Sequence, residues 1–246
     1  MKILAIETSS EACSAALLIN DEIRQRYQFA PQKHAELILP MLESLLAEAQ
    51  LSLNAMDALA FGRGPGAFTG VRIASGVIQG LAFGADLPVV PVSSLAALAQ
   101  QLHRETGETQ LLAAFDARMK ELYWGAYEVD ADHQLVRLVG DEVVCLPEQV
   151  PLPTAGAWHG VGSGWCAYAA ALNERLAPRL SGWMGDERYP RAEEVAQLAL
   201  SRFKKGLAVS AEHALPVYLR DNVVRQPQSD IAQEKREGNT AIKKPL

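Results

Sequence analysis

Ile3-Leu4-Ala5-Ile6 is an unbroken apolar run closed by the polar Glu7-Thr8-Ser9-Ser10, the pattern of a buried strand ending in a turn. Ala12–Ile19 reads as a second strand, Asn20-Asp21 as a turn, and Glu22–Phe29 as a third strand. Helical spacing then runs from His34 to about Gln50. A strand at Ala58–Gly62, a glycine-rich loop at Gly64–Gly70 and a helix to about Ala85 follow. The unit closes with a short strand at Pro88–Val92 and a helix capped at Ser93-Ser94. The order βββαβαβα is the ribonuclease-H-like pattern of the actin, Hsp70 and sugar-kinase superfamily.

The second half repeats the opening in thinner form. Leu111–Asp116, Leu122–Val129 and Leu135–Cys145 predict another three-strand meander. A connection rich in proline (Pro147, Pro151, Pro153) leads to a strand at Trp158–Val161, with helices at about 165–176 and 190–206. The expected architecture is a two-lobed α/β fold, the second lobe reduced. One lobe spans 1–102 and the other 103–189. A closing helix and segment at 190–224 return toward the first lobe. Residues 225–246 hold eight charged residues and no aromatic, which predicts a polar tail with little fixed structure.

Composition narrows the function. Apolar residues make up 49% of the 246 and charged residues 21%, so the bulk of the chain can build a core. With 23 basic against 29 acidic residues the net charge is −6, poorly suited to gripping a phosphate backbone alone. Cys13, Cys145 and Cys166 are odd in number and scattered, as in a reduced cytoplasmic protein. The five histidines form no His-x-x-x-His, and no apolar stretch is long enough to span a membrane. No tightly bound metal is expected.

Two turns carry candidate anion chemistry. Glu7-Thr8-Ser9-Ser10 stands where this superfamily folds a hairpin around nucleotide phosphates; the alternative is a hydroxyl-rich β-turn. Gly64-Pro65-Gly66-Ala67-Phe68-Thr69-Gly70 opens a helix whose N–H groups suit an anion, or it is a tight turn with Thr69 as the cap. Thr8, Ser9, Gly64, Gly66 and Thr69 are therefore the candidate nucleotide contacts. Neither turn offers a lysine, so no nucleotide is required, and any ATP or ADP is expected to bind weakly, at a partner interface. Asp116-Ala117-Arg118 ends a strand and either reaches a cleft or pairs with its neighbours.

The two N-terminal helices carry the interaction signal. The first has more apolar residues than the roughly 100° stripe needed to cover a sheet. Leu37, Met41 and Leu45 are the expected outward set. On the second, Gly76, Gly80 and Gly84 align at i, i+4 and i+8, each costing about 1 kcal/mol against alanine. A smooth groove for a close-packed helix compensates that cost, the neighbour being internal or another chain.

Together these segments resemble the bacterial TsaB family, also called YeaZ. The likeness rests on Ile3–Ser9, on His34-Ala35-Glu36 with Leu39-Pro40, and on Gly64-Pro65-Gly66 with Phe68–Arg72. It continues through Val92–Leu95, Asp116–Arg118 with Tyr123, Gly162 with Gly164, Tyr189-Pro190 and Pro216–Arg220. It covers residues 1 to about 224, with Glu7 where the family often has Asp and Ala67 where it often has Ser. The resemblance implies a non-catalytic paralogue of the transferase subunit TsaD, whose His-x-x-x-His metal site has no counterpart in Val92–Ala97. It further implies pairing with a TsaD-like subunit, recruitment of a TsaE-like ATPase, and contact with tRNA only through that complex. The process is threonylcarbamoyl transfer to N6 of adenosine 37.

Three readings follow. The first is an interaction subunit with no activity of its own and no required cofactor, either monomeric or able to self-associate into a homodimer when alone. The second is an independent ATP-dependent phosphotransferase, for which Glu7 and Asp116 are the available acids. The third is a glycoprotease-like peptidase, which lacks a recognisable histidine pair or serine–histidine–aspartate arrangement.

Overall fold

A computed structural model describes residues 1–185 and 188–220. The first five strands are β1 (Lys2–Glu7), β2 (Ala12–Ile19), β3 (Glu22–Phe29), β4 (Ala58–Gly62) and β5 (Val89–Val92), and they form one sheet in the order β3-β2-β1-β4-β5. The meander β1–β2–β3 is antiparallel; β4 and β5 join parallel to β1. The helices α1 (His34–Glu48) and α2 (Phe68–Ala85) make the crossovers, and α3 (Ser94–Thr106) leads out of β5. Ser93 caps α3, its Oγ accepting the Ala96 N–H at 3.2 Å, and Gly107 ends it in the left-handed conformation.

A second five-stranded sheet repeats the topology. It consists of β6 (Gln110–Asp116), β7 (Leu122–Asp130), β8 (Leu135–Cys145), β9 (Trp158–Val161) and β10 (Leu180–Met184), in the order β10-β9-β6-β7-β8. β10 is absent from the sequence expectation. Leu-Ser-Gly-Trp-Met is half-exposed and carries a central glycine, so it has neither a continuous apolar run nor a clean alternation. No helix separates β8 from β9, where α1 separates β3 from β4. A one-turn helix at Pro147–Gln149 and a proline-rich crossing stand in its place. That is the reduction in the second half. The fold is the two-sheet α/β arrangement of the actin-like superfamily.

The alternation in β1 explains the layering. Leu4 and Ile6 face α1 and α2, while Ile3 and Ala5 face α5 (Ala192–Lys204). Both sides of the strand are buried, which is why it reads as continuous apolar residues. β3 is the exposed edge, and its Glu22, Arg24 and Arg26 keep that edge polar. In the second sheet Trp124 and Trp158 pack against Trp165, Leu172 and Leu176 of α4 (Ser163–Leu176). Leu95, Leu98 and Leu102 of α3 cover its other face.

Two sequence expectations are corrected here. Leu45 is fully buried, because it continues the core stripe of His34, Ile38 and Leu42 at helical spacing. Leu37 and Met41 flank that stripe and are half-buried against the same core. Thr69 is not a cap. α2 begins at Phe68 after Ala67, with no side-chain cap, and Thr69 is exposed on the first turn. The tail expected at 225–246, and residues 221–224 of the closing segment, lie outside the described residues. Among the described residues no helix is long and apolar enough to cross a membrane.

Candidate functional site

The parallel pairing of β1 with β4 sets the ends of both strands side by side, bringing Glu7 against Gly62. The Glu7 carboxylate is fully buried. Its Oε1 accepts the Ser9 N–H at 2.6 Å and its Oε2 accepts the Ser94 hydroxyl at 2.8 Å. Burial pushes this carboxyl above its ordinary value, and the hydrogen bonds from Ser9, Ser94 and Thr8 pull against that. Thr8 is equally buried, and its hydroxyl donates to the Gly70 carbonyl at 2.8 Å.

The glycine-rich loop packs directly on this turn. The Ala67 N–H donates to the Ser9 carbonyl at 2.7 Å. A Cβ at Gly66 would lie 2.4 Å from the Ser9 carbonyl oxygen, and one at Gly70 2.0 Å from that of Thr8. Only glycine permits this approach. Gly64, with φ +90, turns the chain so that its carbonyl accepts the Ser94 N–H at 3.0 Å. Thr8, Ser9, Gly64 and Gly66 therefore meet at one place, with Thr69 at its solvent edge. The Ser9 N–H and the Thr8 hydroxyl, donors a phosphate would want, are already engaged within the protein. The Ser9 hydroxyl is buried without a partner.

Asp116 and Arg118 pair with each other and with neighbours. Asp116 Oδ1 accepts the Arg118 N–H at 2.9 Å and the Tyr168 hydroxyl at 3.1 Å, while Oδ2 lies 3.4 Å from the Arg118 guanidinium. Arg118, Met119 and Lys120 all have positive φ, a tight turn that the sequence did not announce. Arg220 closes it from the far end of the chain, donating to the Ala117 carbonyl at 3.1 Å and pairing with Glu121. Also unforeseen is Arg72, whose guanidinium stacks 3.4 Å over the Phe68 ring and donates to the Tyr218 hydroxyl at 2.9 Å. Tyr218 is far from Phe68 in sequence, so no local spacing signals the cluster.

The second candidate surface is the outer face of α1 and α2. Gly76, Gly80 and Gly84 lie in line, and a Cβ at any of them would meet no atom within 4 Å. None of the described residues fills the groove. Its borders are Val77 and Leu81, half-buried, and Phe83, 84% exposed. Leu37 and Met41 lie on the neighbouring helix, half-buried against the core they share with these residues. Among the described residues no three His, Cys, Asp or Glu side chains converge as a metal-ligand set.

A family model described as TsaD, tRNA N6-adenosine threonylcarbamoyltransferase, matches residues 26–227. The chain is 42% identical over 229 residues to the tRNA threonylcarbamoyladenosine biosynthesis protein TsaB of Escherichia coli, covering 91% of this chain and 96% of that one. It is 41% identical over 231 residues to TsaB of Haemophilus influenzae, covering 91% and 95%. The solved structure of YeaZ from Pseudomonas aeruginosa superposes with a TM-score of 0.82 at 47% identity, covering 89% of this chain and 99% of that chain.

Proposed function

The chain belongs to the TsaB family of tRNA threonylcarbamoyladenosine biosynthesis proteins, and on that premise we propose that it is the non-catalytic partner subunit of the threonylcarbamoyl transferase. It pairs with a TsaD-like paralogue through α1 and α2, giving a four-helix contact. The observation that carries this reading is the groove of Gly76, Gly80 and Gly84, open to solvent beside Val77, Leu81 and Phe83. Glycines inside a helix cost stability unless something packs closely on them, and none of the described elements does. An apolar face left open on a soluble chain marks an interface.

Leu45, buried in the core, takes no part in the contact; Leu37 and Met41 flank it. Alone, the same face supports a symmetric homodimer, because a two-fold contact uses one patch twice. A TsaE-like ATPase joins the pair, and tRNA is met through the assembly, consistent with the net charge of −6. The work is done in the cytoplasm. ATP or ADP, where it binds near Thr8, Ser9 and the 64–70 loop, binds weakly, since Glu7 and Gly70 already engage the donors there. An independent phosphotransferase is disfavoured by the same geometry: Glu7 is sealed beneath the turn and Asp116 is spent on Arg118 and Tyr168.

The test is co-purification with the host's TsaD-like paralogue, followed by tRNA modification with each subunit omitted in turn. Loss of modified adenosine on omission of this chain, with no ATP turnover by the chain alone, is the expected result. Modification that proceeds equally without it would overturn the proposal.

A further inference from the structure

A cavity of about 290 Å3 lies between β8, the end of α5 and the start of α3, on a different side from the α1–α2 face, with Arg63 and Ser93 on its wall adjoining Gly64 and Ser94 of the turn described above. We propose that it is a binding site for a small phosphate monoester, held by the guanidiniums of Arg63 and Arg202 with Lys205 and Arg137 around them. Four permanent cations line the cavity against two carboxylates, Asp130 and Glu142, in a chain whose overall charge is negative. His133 adds a fifth nitrogen base to the lining.

Both carboxylates are already engaged. Glu142, nearly buried, accepts from the Ser93 and Tyr127 hydroxyls and lies 3.4 Å from Arg63. Asp130 is turned onto the His133 ring at 3.3 Å and onto the N–H groups of Asp132 and His133. Of the four cations, Arg137 has its own partner in Glu128 at 2.9 Å and is exposed. Among the described residues Arg202 has no carboxylate within salt-bridge distance, and its Nε is buried with no hydrogen-bond partner. Burial, and then the like charge of Arg63, weigh against its protonated form, with Glu142 opposing them from a distance. The end of α5 supports cations through its dipole but does not satisfy that Nε–H.

An anion with several acceptor oxygens meets each of these needs. Guanidinium forks match phosphate oxygens, and charge-assisted bonds of this kind are the strong ones. A phosphate suits the site better than a carboxylate because it presents three oxygens to cations that come from the β4 exit, β8 and α5. The remaining walls, Val92, Leu135, Val136, Leu198 and Leu207, are apolar and fit an organic body attached to the phosphate. The volume sits at the lower end of small-molecule sites.

The experiment follows backbone amides of the full chain by nitrogen-15 NMR during titration with inorganic phosphate, AMP and adenosine at constant ionic strength. Phosphate and AMP are expected to give saturable shifts confined to residues 92–96, 135–142 and 201–207, while adenosine leaves them unmoved. Arg202→Gln should weaken AMP at least tenfold, and the exposed Lys205→Gln, which carries no risk to the core, about threefold. Arg24→Gln, on the opposite edge, should change nothing. Absence of saturable shifts, adenosine binding as well as AMP, or wild-type affinity in both Arg202→Gln and Lys205→Gln would overturn the proposal.

Discussion

Gly62 and Glu7 share one space: a Cβ at position 62 would lie 1.8 Å from the Glu7 Oε2. The missing side chain of one residue houses the carboxylate of the other, and that carboxylate then ties Ser9 to Ser94. The end of β1 and the start of α3 are thereby joined through a buried carboxyl group.

Gly62→Ala should expel the carboxylate and leave the Ser9 N–H and Ser94 hydroxyl unpaired, costing about 2–4 kcal/mol. Glu7→Gln keeps the shape and most of the hydrogen bonds, and should cost less than about 1 kcal/mol. Urea unfolding of the two variants checks the contrast. Equal losses would mean that the charge itself, not the space, holds the turn.

Gly80→Leu reaches into open solvent in the monomer, so monomer stability should be unchanged or rise by up to about 1 kcal/mol from helix propensity, while any homodimer through this face should weaken. In the pair with the TsaD-like paralogue the same side chain overfills the groove, at about 1–3 kcal/mol, or roughly 5- to 150-fold in affinity. Thermal unfolding and a pull-down read the two effects separately. Unfolding of the isolated chain would place the groove in the interior.

Leu45→Ala should cost about 2–5 kcal/mol, as for a large core residue truncated in place. Leu39→Ala, on the exposed side of the same helix, should cost less than about 0.5 kcal/mol. Similar losses at both positions would contradict the orientation of α1.

Glu194 on α5 is buried beneath Arg104 of α3, with Oε1 at 2.9 and 2.6 Å from two guanidinium nitrogens. Burial pushes its carboxyl up to about 7, against the pull of Arg104. A carboxyl raised on folding binds its proton more tightly in the native state. Its stabilising contribution is therefore full below about pH 4.5 and falls as pH climbs toward 7. Arg104→Gln removes the counter-charge and should cost about 2–3 kcal/mol at pH 8, the 40% exposure of Arg104 screening the remainder. At pH 5, where Glu194 is protonated, the loss should be much smaller. A loss independent of pH would show that the ion pair is not its cause.

Alternation and run length in the chain itself determined most of the framework. Ala12–Ile19, Glu22–Phe29, Ala58–Gly62 and Leu135–Cys145 are strands with the bounds their patterns announce, because side chains of one strand must serve two faces in period two. The paired meanders, and so the superfamily, follow from that order. The aligned glycines of α2 were legible for the same local reason: positions four apart share a helix face. What depends on a neighbour distant in sequence was not legible. Whether Leu45 or Leu39 faces out is decided by how α1 is rolled on the sheet, and an apolar surplus spread round the helix is compatible with several rolls. β10 forms only because β9 offers it an open edge. Glu7 meets Ser94, Arg104 meets Glu194, and Arg63 meets Glu142 across separations of 79 to 90 residues. Those pairings exist only once the sheets and helices are stacked, since burial and the competition for hydrogen bonds belong to the packed structure and leave no mark on local sequence.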